Sequence, residues 1–300
     1  MKLYAGIDGG QSSTTAAIGD EHRILARGCG PPADLVGEAR DSMRQAAALE
    51  GALAAALDAA HLPRATRFSA IVAGLSGFDR GISPEPDFWP RTGCAQILHD
   101  TEIAHAGALD GGPGIVVIAG TGSVALGNAE PDVATFVRAG GWGYFFGDEG
   151  SALWIARSAL RSAMYREDRG EPSALAVRAL AFLGADSLRE VQHAFAHGEI
   201  ARPALAAFAS DVFACAAEDD ADAAAVVREG AAALAALAAV VAVRLDRRAC
   251  RVSYSGGLFE DGAFVNCFTN ALAAALPGAQ VALPAYSPAA GALLLARRLP

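Results

Sequence analysis

The sequence predicts an α/β fold built from two related half-domains. Two turns of the same design carry this prediction: residues 8–14 (DGGQSST) near the N-terminus and residues 120–123 (GTGS) in the middle of the chain. Each turn combines glycines with hydroxyl side chains between two apolar runs, a pattern typical of strands joined by a tight turn. Strand-like runs then alternate with longer helical patterns, which indicates mixed sheets covered by helices.

Residues 1–110 form the first predicted domain. Its predicted strands are short apolar runs bounded by turn residues, at 3–8, 13–19, 23–28, 68–75 and 96–98. A long alanine-rich helix from Asp34 to about Ala60 has leucines near helical spacing, and a second helix follows His99–Asp100 to about Leu109. The strand pattern restarts after the turn at 110–114 (DGGPG), which therefore predicts the domain boundary.

Residues 111–300 form the second predicted domain, which is mostly helical. Its strands are expected at Ile115, after the GTGS turn, at 251–255 and at 280–283. Its predicted helices lie at 151–166, 173–183, 187–197, 201–217, 222–247, 261–276 and 288–298. The last of these helices is a candidate to pack back on the first domain.

Composition excludes several functional classes. A net charge of −9 without a basic stripe argues against nucleic-acid binding. Lys2 is the only lysine, which excludes a Walker A loop and a Schiff-base lysine. The five cysteines form no CxxC pair, so neither a zinc site nor a disulfide framework is expected. The longest apolar stretch, 230–243, is short for a membrane span, and no signal peptide is recognisable, so a cytoplasmic location is expected.

The two glycine turns are candidates for binding phosphate groups. Glycines let backbone N–H groups approach an anion, while the serine and threonine side chains add hydroxyl donors. Asp8, at the end of a strand, suits a water-bridged Mg²⁺ ion. An ordinary hairpin remains the alternative for both turns. The candidate cofactor-binding residues here are Asp8, Gly9, Gly10, Ser12, Ser13, Gly120, Thr121 and Gly122.

Two further glycine-rich motifs are candidate ligand sites. Residues 140–151 (GGWGYFFGDEGS) surround two carboxylates with glycines, and Asp148 is suited to bind a polyol hydroxyl. Trp142 and Tyr144 are candidates either for stacking on a sugar or for core packing. Gly256 and Gly257, between a strand and a helix, allow a flat ring of the adenine type to lie on the backbone.

These four motifs, in this order, resemble the BadF/BadG/BcrA/BcrD group of the actin-like ATPase superfamily, and most closely its branch of N-acetylglucosamine and glucosamine kinases. The matching stretches are GIDGGQSSTTAAI, GLSGFD, the Asp100 region, IAGTGSVALG, GGWGYFFGDEGSALWIA and SGGLF. The resemblance implies two actin-like (ribonuclease H-like) domains with an interdomain cleft. It also implies an ATP- and Mg²⁺-dependent kinase that phosphorylates an amino sugar, N-acetylglucosamine or glucosamine, at a primary hydroxyl such as O6. Related proteins are often dimers, so a homodimer is a further expectation.

The resemblance also implies residue roles. Asp100, which begins a helix about twenty residues before the GTGS threonine, would be the general base; a helix N-cap is a compatible alternative. Ser12 and Thr121 would contact the ATP phosphates, and Gly256 and Gly257 the adenosine. The sugar site would be lined by Asp34, Ser76, Gly141, Trp142 and Asp148.

Two residues depart from the family pattern. Gln11 replaces a glycine in the first turn, and Asp34 replaces an asparagine that often contacts the sugar. An ionised carboxylate accepts hydrogen bonds but cannot donate them, so Asp34 predicts a preference for glucosamine over its acetylated form. His99 is interpreted as structural. The alternative function is an ATPase module that transmits its nucleotide state to a partner protein; relatives of that kind use cluster-binding cysteines, and Cys29 lacks their sequence context.

Overall fold

Ten strands and ten α-helices make up the part of the chain that the computed structural model describes, residues 2–33, 42–78, 92–130, 136–247 and 249–300. The strands are β1 (Tyr4–Gly9), β2 (Thr14–Gly19), β3 (Ile24–Gly30), β4 (Phe68–Leu75), β5 (Thr92–His99), β6 (Gly114–Ala119), β7 (Ser123–Asn128), β8 (Val137–Gly140), β9 (Arg251–Ser255) and β10 (Gln280–Val281). The helices are α1 (Ser42–Ala59), α2 (Asp100–Ala108), α3 (Ala152–Asp168), α4 (Ala174–Leu183), α5 (Leu188–Ala196), α6 (Arg202–Ala207), α7 (Ala209–Ala217), α8 (Ala221–Arg244), α9 (Gly262–Ala275) and α10 (Pro288–Ala296). A short 3-10 helix covers Gly257–Glu260.

The two halves of the chain contain sheets with the same strand order. The first sheet has the order β3-β2-β1-β4-β5, and the second, read from β8, has the order β8-β7-β6-β9-β10. In the first sheet β1, β2 and β3 pair antiparallel, whereas β4 runs parallel to both β1 and β5. The prediction of an α/β fold with two related half-domains is therefore confirmed.

The chain divides into two compact units. Unit 1 comprises Met1–Val116, Asn128–Ala134 and Ala282–Pro300, and unit 2 comprises Val117–Gly127 and Thr135–Val281. The first segment of unit 1 thus ends at Val116, a little beyond the predicted boundary at residue 110. The last helix, α10, belongs to unit 1 and packs on β1 and α2.

Helices cover both faces of the first sheet. On one face, α1 buries leucines such as Leu49 against Ile7, Ile18 and Ile71. On the other face, Ile103 of α2 and residues of α10 pack on the sheet. Because side chains alternate between the two faces of a strand, β1 serves both layers. Burying each large aliphatic side chain stabilises the fold by roughly 1.5–3 kcal/mol.

Glycines let α10 approach its neighbours closely. A Cβ atom at Gly291 would lie 2.2 Å from the carbonyl oxygen of Ile103, and one at Gly107 would lie 2.6 Å from that of Ser287. A Cβ at Gly6 of β1 would lie 2.0 Å from the backbone nitrogen of Leu293. These glycines therefore fix the position of α2 relative to α10 and the sheet.

Unit 2 is organised around α8, which packs against α3, α7 and α9. By length and composition α8 is long and apolar enough to cross a membrane, but half of its most apolar stretch is buried within the protein. The uninterrupted apolar run at 230–243 is shorter than α8, so the sequence pattern did not predict this property. Among the described residues no second helix meets the same criteria.

Three element predictions differ from the structure. The helix expected at 201–217 is two helices, because the chain turns at the fully buried Phe208. Strand β5 begins at Thr92 rather than at residue 96, since pairing with β4 extends it into small and polar residues that carry no apolar pattern. Strand β8, only four residues long and next to β7, was not predicted.

Candidate active site

The carboxyl ends of three parallel strands bring several predicted site residues of unit 1 together. Gly9 of β1 pairs with Leu75 of β4, which in turn pairs with His99 of β5. Asp8, Ser76 and Asp100 therefore lie at the same edge of the sheet. Ligands of open α/β sheets bind outside the carboxyl ends of the strands, so this edge is a candidate active site.

The first glycine turn is held in place by its own backbone. Gly10 N–H donates to the carbonyl of Ser13 at 3.0 Å, and the carbonyl of Gly9 accepts from Ser76 N–H at 3.0 Å. Ser12 and Ser13 lie exposed at the tip. A Cβ at Gly9 would lie 2.5 Å from Leu75 Cδ2. Gly9 is thus required for packing, while the serine hydroxyls are accessible to a ligand.

Gln11 links this turn to the predicted sugar site. Its Nε2 atom donates to Ser76 Oγ at 3.4 Å. A hydroxyl that accepts one hydrogen bond can still donate its own proton to another group. The sequence showed Gln11 only as a departure from the family pattern, because the contact with Ser76 depends on the parallel pairing of β1 and β4.

Asp8 has an unusual protonation equilibrium. Burial, followed by the negative charge of Asp100, raises the pKa of Asp8 from 3.8 to about 7. A bound divalent cation would offset both effects, since Mg²⁺ prefers one or two carboxylates together with water. Within the described ranges no group of three or more acidic, histidine or cysteine side chains forms a metal cluster. The chemistry at Asp8 thus fits an ion that retains several waters.

Asp100 is the first residue of α2 and not its N-cap. The N-cap is His99, with φ −72° and ψ 144°, and its side chain accepts a hydrogen bond from Thr101 N–H. The alternative interpretation of Asp100 as an N-cap is therefore wrong, because the histidine already occupies that position. Asp100 Oδ1 is buried and receives no hydrogen bond from the described residues.

The second glycine turn, in unit 2, is tied to the start of α3. Gly120 N–H donates to the carbonyl of Gly122 at 3.0 Å, and the carbonyl of Gly120 accepts from Ala152 N–H at 2.9 Å. Ser123 Oγ donates to the carbonyl of Glu149 at 2.8 Å. Thr121, at the tip, is partly exposed. The GTGS turn and residues 148–152 therefore form one local structure.

Asp148 lies against the GTGS turn. It adopts a left-handed backbone conformation with φ 59°, and a Cβ at Gly122 would lie 2.8 Å from its Oδ2. Burial raises the pKa of Asp148, although hydrogen bonds from the backbone N–H groups of Ser123 and Gly143 oppose this shift. The sequence did not predict that Asp148 lies close to Gly122, because a positive φ at an aspartate cannot be inferred from the residues next to it.

The aromatic residues near Gly141 lie mostly in solvent. Trp142 is 79% exposed, so the alternative that it packs in the core is wrong. Tyr144 is half-buried: the guanidinium of Arg202 lies 4.6 Å from its ring centroid, and Arg157 Nη1 donates to its carbonyl at 2.7 Å. The exposed indole is available to stack on a ligand.

Gly256 and Gly257 follow β9, and only the first is required by the fold. Gly256 has φ 106°, and a Cβ there would lie 2.3 Å from the carbonyl oxygen of Ala119. A Cβ at Gly257, like one at Gly120, would meet no atom within 4 Å. The backbone at Gly120 and Gly257 therefore has free space beside it. Asp34 lies outside the described residues.

Known proteins share sequence or fold with this chain. An N-acetylmuramic acid/N-acetylglucosamine kinase from Clostridium acetobutylicum is 32% identical over 195 residues, which are 61% of this chain and 60% of that enzyme. The chain thus matches less than two thirds of the length of this curated relative. The crystal structure of a protein from Chromobacterium violaceum assigned as an N-acetylglucosamine kinase is 28% identical, with a TM-score of 0.77 over 98% of this chain and 99% of that chain.

The fold is also shared with more distant sugar kinases. A ROK family glucokinase from Streptomyces griseus, solved with glucose and AMPPNP, superposes with a TM-score of 0.66 at 19% identity, over 99% of this chain and 100% of that chain. At this identity the likeness concerns the fold alone. The family model of the BadF/BadG/BcrA/BcrD ATPases matches residues 5–296. Since this match spans nearly the whole sequence, the chain belongs to the BadF/BadG/BcrA/BcrD ATPase family.

Proposed function

We propose that the protein is an ATP-dependent amino-sugar kinase that transfers the γ-phosphoryl group to a sugar hydroxyl, O6 of N-acetylglucosamine or glucosamine. The observation that carries this proposal is the placement of Asp100 beside Asp8 at the carboxyl ends of β5 and β1, with a buried oxygen that lacks a donor. The family membership and the two amino-sugar kinase relatives support the same activity.

Asp100 acts as the general base in this proposal. Its carboxylate accepts the proton of the sugar hydroxyl while the hydroxyl oxygen attacks phosphorus. Its position at the first residue of α2 puts this carboxylate at the carboxyl end of β5, where the chain leaves the sheet. The packing of α2 on α10 through Gly107 and Gly291 holds this carboxylate in place.

Asp8 is the proposed ligand of Mg²⁺, through water or directly. When bound, the ion neutralises charge that develops on the transferred phosphoryl group. Asp8 itself is ionised fully only when a cation offsets its burial and the charge of Asp100. Ser12 and Ser13, exposed at the tip of the first turn, are the proposed hydroxyl donors to phosphate oxygens.

Unit 2 supplies the remaining ligand contacts. Thr121 and the backbone of Gly120 are the proposed phosphate contacts, and Gly257 leaves room for the adenosine. The proposed sugar contacts are Ser76, Gly141, Trp142 and Asp148. If Asp34 contacts the sugar as an acceptor, glucosamine is preferred over N-acetylglucosamine because only the amine carries a positive charge.

A coupled assay of ADP formation tests the function directly. N-acetylglucosamine, glucosamine, glucose and N-acetylmannosamine are supplied in turn with ATP and Mg²⁺, and the product is analysed for the phosphorylated position. The Asp100→Asn variant should lower kcat by roughly 10²–10⁴ with little change in ATP affinity. Full activity of that variant would refute the assignment of the base.

The same assay separates a kinase from an ATPase module. A kinase turns over ATP at a rate that depends on the sugar, because productive geometry requires the acceptor hydroxyl. ATP turnover that is equal with and without every sugar would reject the proposed activity. A higher kcat/KM for the acetylated sugar than for glucosamine would reject only the role of Asp34.

A further inference from the structure

His99 and Asp100 place two hydrogen-bond acceptors in contact. His99 Nδ1 lies 2.6 Å from Asp100 Oδ1. The same nitrogen accepts from Thr101 N–H at 3.3 Å and lies 2.9 Å from Thr101 Oγ1. Oδ1 is buried and receives no hydrogen bond from any described residue. The proposed catalytic base therefore has one oxygen that faces only the histidine ring.

The chemistry of this contact favours a proton between the two atoms. With Nδ1 as the acceptor of the Thr101 N–H, the neutral ring carries its proton on Nε2. An unprotonated nitrogen and a carboxylate oxygen repel each other at 2.6 Å. One added proton converts that repulsion into a short charge-assisted hydrogen bond. The pair thus gains stability at the moment when Asp100 receives a proton.

We propose that His99 is a positioning residue that shares with Asp100 the proton removed from the sugar hydroxyl. This inference rests on the proposed kinase function. In the reaction the O–H bond of the sugar breaks, the sugar oxygen bonds to the γ-phosphorus, and the bond from that phosphorus to the bridging oxygen of ADP breaks. The proton passes to the Asp100 carboxylate and is held between Oδ1 and Nδ1. The ring, 24% exposed, then releases it to water.

Few other titratable groups face this pair. Strand β4 and helix α10 carry none, while β1 contributes Tyr4 and Asp8, and β5 contributes Cys94. Helix α2 itself adds Glu102 and His105, and the His105 ring is hydrogen-bonded to the carbonyl of Gly114.

The His99→Asn variant separates proton sharing from helix capping. Asparagine is a good N-cap and keeps the acceptor for Thr101 N–H, but it does not titrate. We expect its Tm to match that of the wild type, its kcat to fall about ten- to a hundredfold, as for one hydrogen bond to a charged group, and its KM for ATP to be unchanged. The acid limb of the pH profile should move to lower pH, because a lone carboxylate binds a proton more weakly than the pair.

Two comparisons complete the test. His22→Asn removes an exposed histidine far from the site in sequence and should leave kcat and the pH profile unchanged. In ¹⁵N-histidine-labelled wild-type protein, the His99 ring should bind its second proton at higher pH than in Asp100→Asn. This measurement needs no activity and applies even if His99→Asn folds poorly.

The outcomes separate the two proposals. If His99→Asn retains the kcat and the pH profile of the wild type, His99 only caps α2 and the inference is overturned. It is also overturned if the His99 ring titrates identically with and without the Asp100 carboxylate. If instead Asp100→Asn is fully active, the proposed base is refuted, whatever the histidine does.

Discussion

The negative charge of Asp100 raises the pKa of Asp8, and the two carboxylates lie at the carboxyl ends of β5 and β1 in unit 1. Burial is the larger cause of the shift, and the charge of Asp100 adds to it. Such an arrangement destabilises the protein without a bound cation. Perturbed carboxylates are frequent at functional sites for this reason.

Asp8→Asn should therefore stabilise the protein at pH 8 while it lowers activity. The folded-state pKa of Asp8 is about 7, above its unfolded value of 3.8. The contribution of Asp8 to the free energy of unfolding is therefore fully present below pH 3.8, and it is lost as the pH rises through 7. Removing the charge should raise the free energy of unfolding at pH 8 by up to about 4 kcal/mol. Urea unfolding at pH 8 without Mg²⁺ measures this difference. An Asn variant less stable than the wild type under these conditions contradicts it.

Gly291→Ala should destabilise unit 1. Its Cβ would lie 2.2 Å from the carbonyl oxygen of Ile103, so α10 and α2 must separate, at a cost of about 1–3 kcal/mol. Gly262→Ala is the matched control, because that glycine also lies in a helix and its Cβ would meet no atom within 4 Å. Thermal unfolding of both variants measures the difference. Equal Tm values for the two would show that the α2–α10 contact tolerates a methyl group.

Alanine substitutions at the two glycines of the GTGS turn should change different properties of the protein, stability at Gly122 and ATP binding at Gly120. Gly122→Ala should lower Tm, since its Cβ would lie 2.8 Å from Asp148 Oδ2, whereas Gly120→Ala has free space and should leave Tm unchanged. If a phosphate lies on Gly120, the Gly120→Ala variant should nevertheless raise the KM for ATP about tenfold, equivalent to about 1.4 kcal/mol. Steady-state kinetics and calorimetry of both variants test this. An unchanged KM for Gly120→Ala would argue against phosphate binding at that glycine.

His105 should make the protein less stable in acid. Burial lowers the pKa of His105 from 6.5 to about 4, against the opposing effect of its hydrogen bond to Gly114. The contribution of neutral His105 to the free energy of unfolding is fully present above pH 6.5 and is lost as the pH falls toward 4, because only the unfolded chain takes up a proton in that range. The loss is about 3 kcal/mol. His105→Gln retains a donor for the Gly114 carbonyl and should flatten the pH dependence of unfolding between pH 6.5 and 4. An equally steep dependence in the variant would assign it to other groups.

Much of the fold could be predicted from the sequence, because the local sequence patterns agree with the tertiary structure. The glycine turns at residues 8–14 and 120–123 join strands in both halves, and Ser151 caps α3 where the Gly150-Ser151 pair predicted a helix start. These turns account for the pairs β1–β2 and β6–β7, whereas the rest of the shared strand order depends on pairing between distant strands. The start of strand β5 and the break between α6 and α7 at Phe208 could not be predicted, since both depend on pairing and packing with distant parts of the chain.

The sequence predicted which residues belong to the candidate site, but it did not predict the contacts among them. Asp8, Asp100 and Ser76 were each predicted, but the hydrogen bond from Gln11 to Ser76 and the contact of His99 with Asp100 depend on side-chain directions at strand ends. The sequence interpretation of His99 as structural agrees with its place as the N-cap of α2. Local propensity favours Asp100 over His99 as the N-cap, and it carries no information about the contact between the two side chains.

Helix α10 has a consequence for biosynthesis. It covers β1 and α2 in unit 1, yet the ribosome makes it after all of unit 2. The nascent first 116 residues therefore expose the sheet face that α10 later covers, and they must wait for the last helix before that layer closes. Vectorial synthesis thus favours completion of unit 2 before unit 1, and chaperone binding to the nascent chain should persist until α10 has emerged.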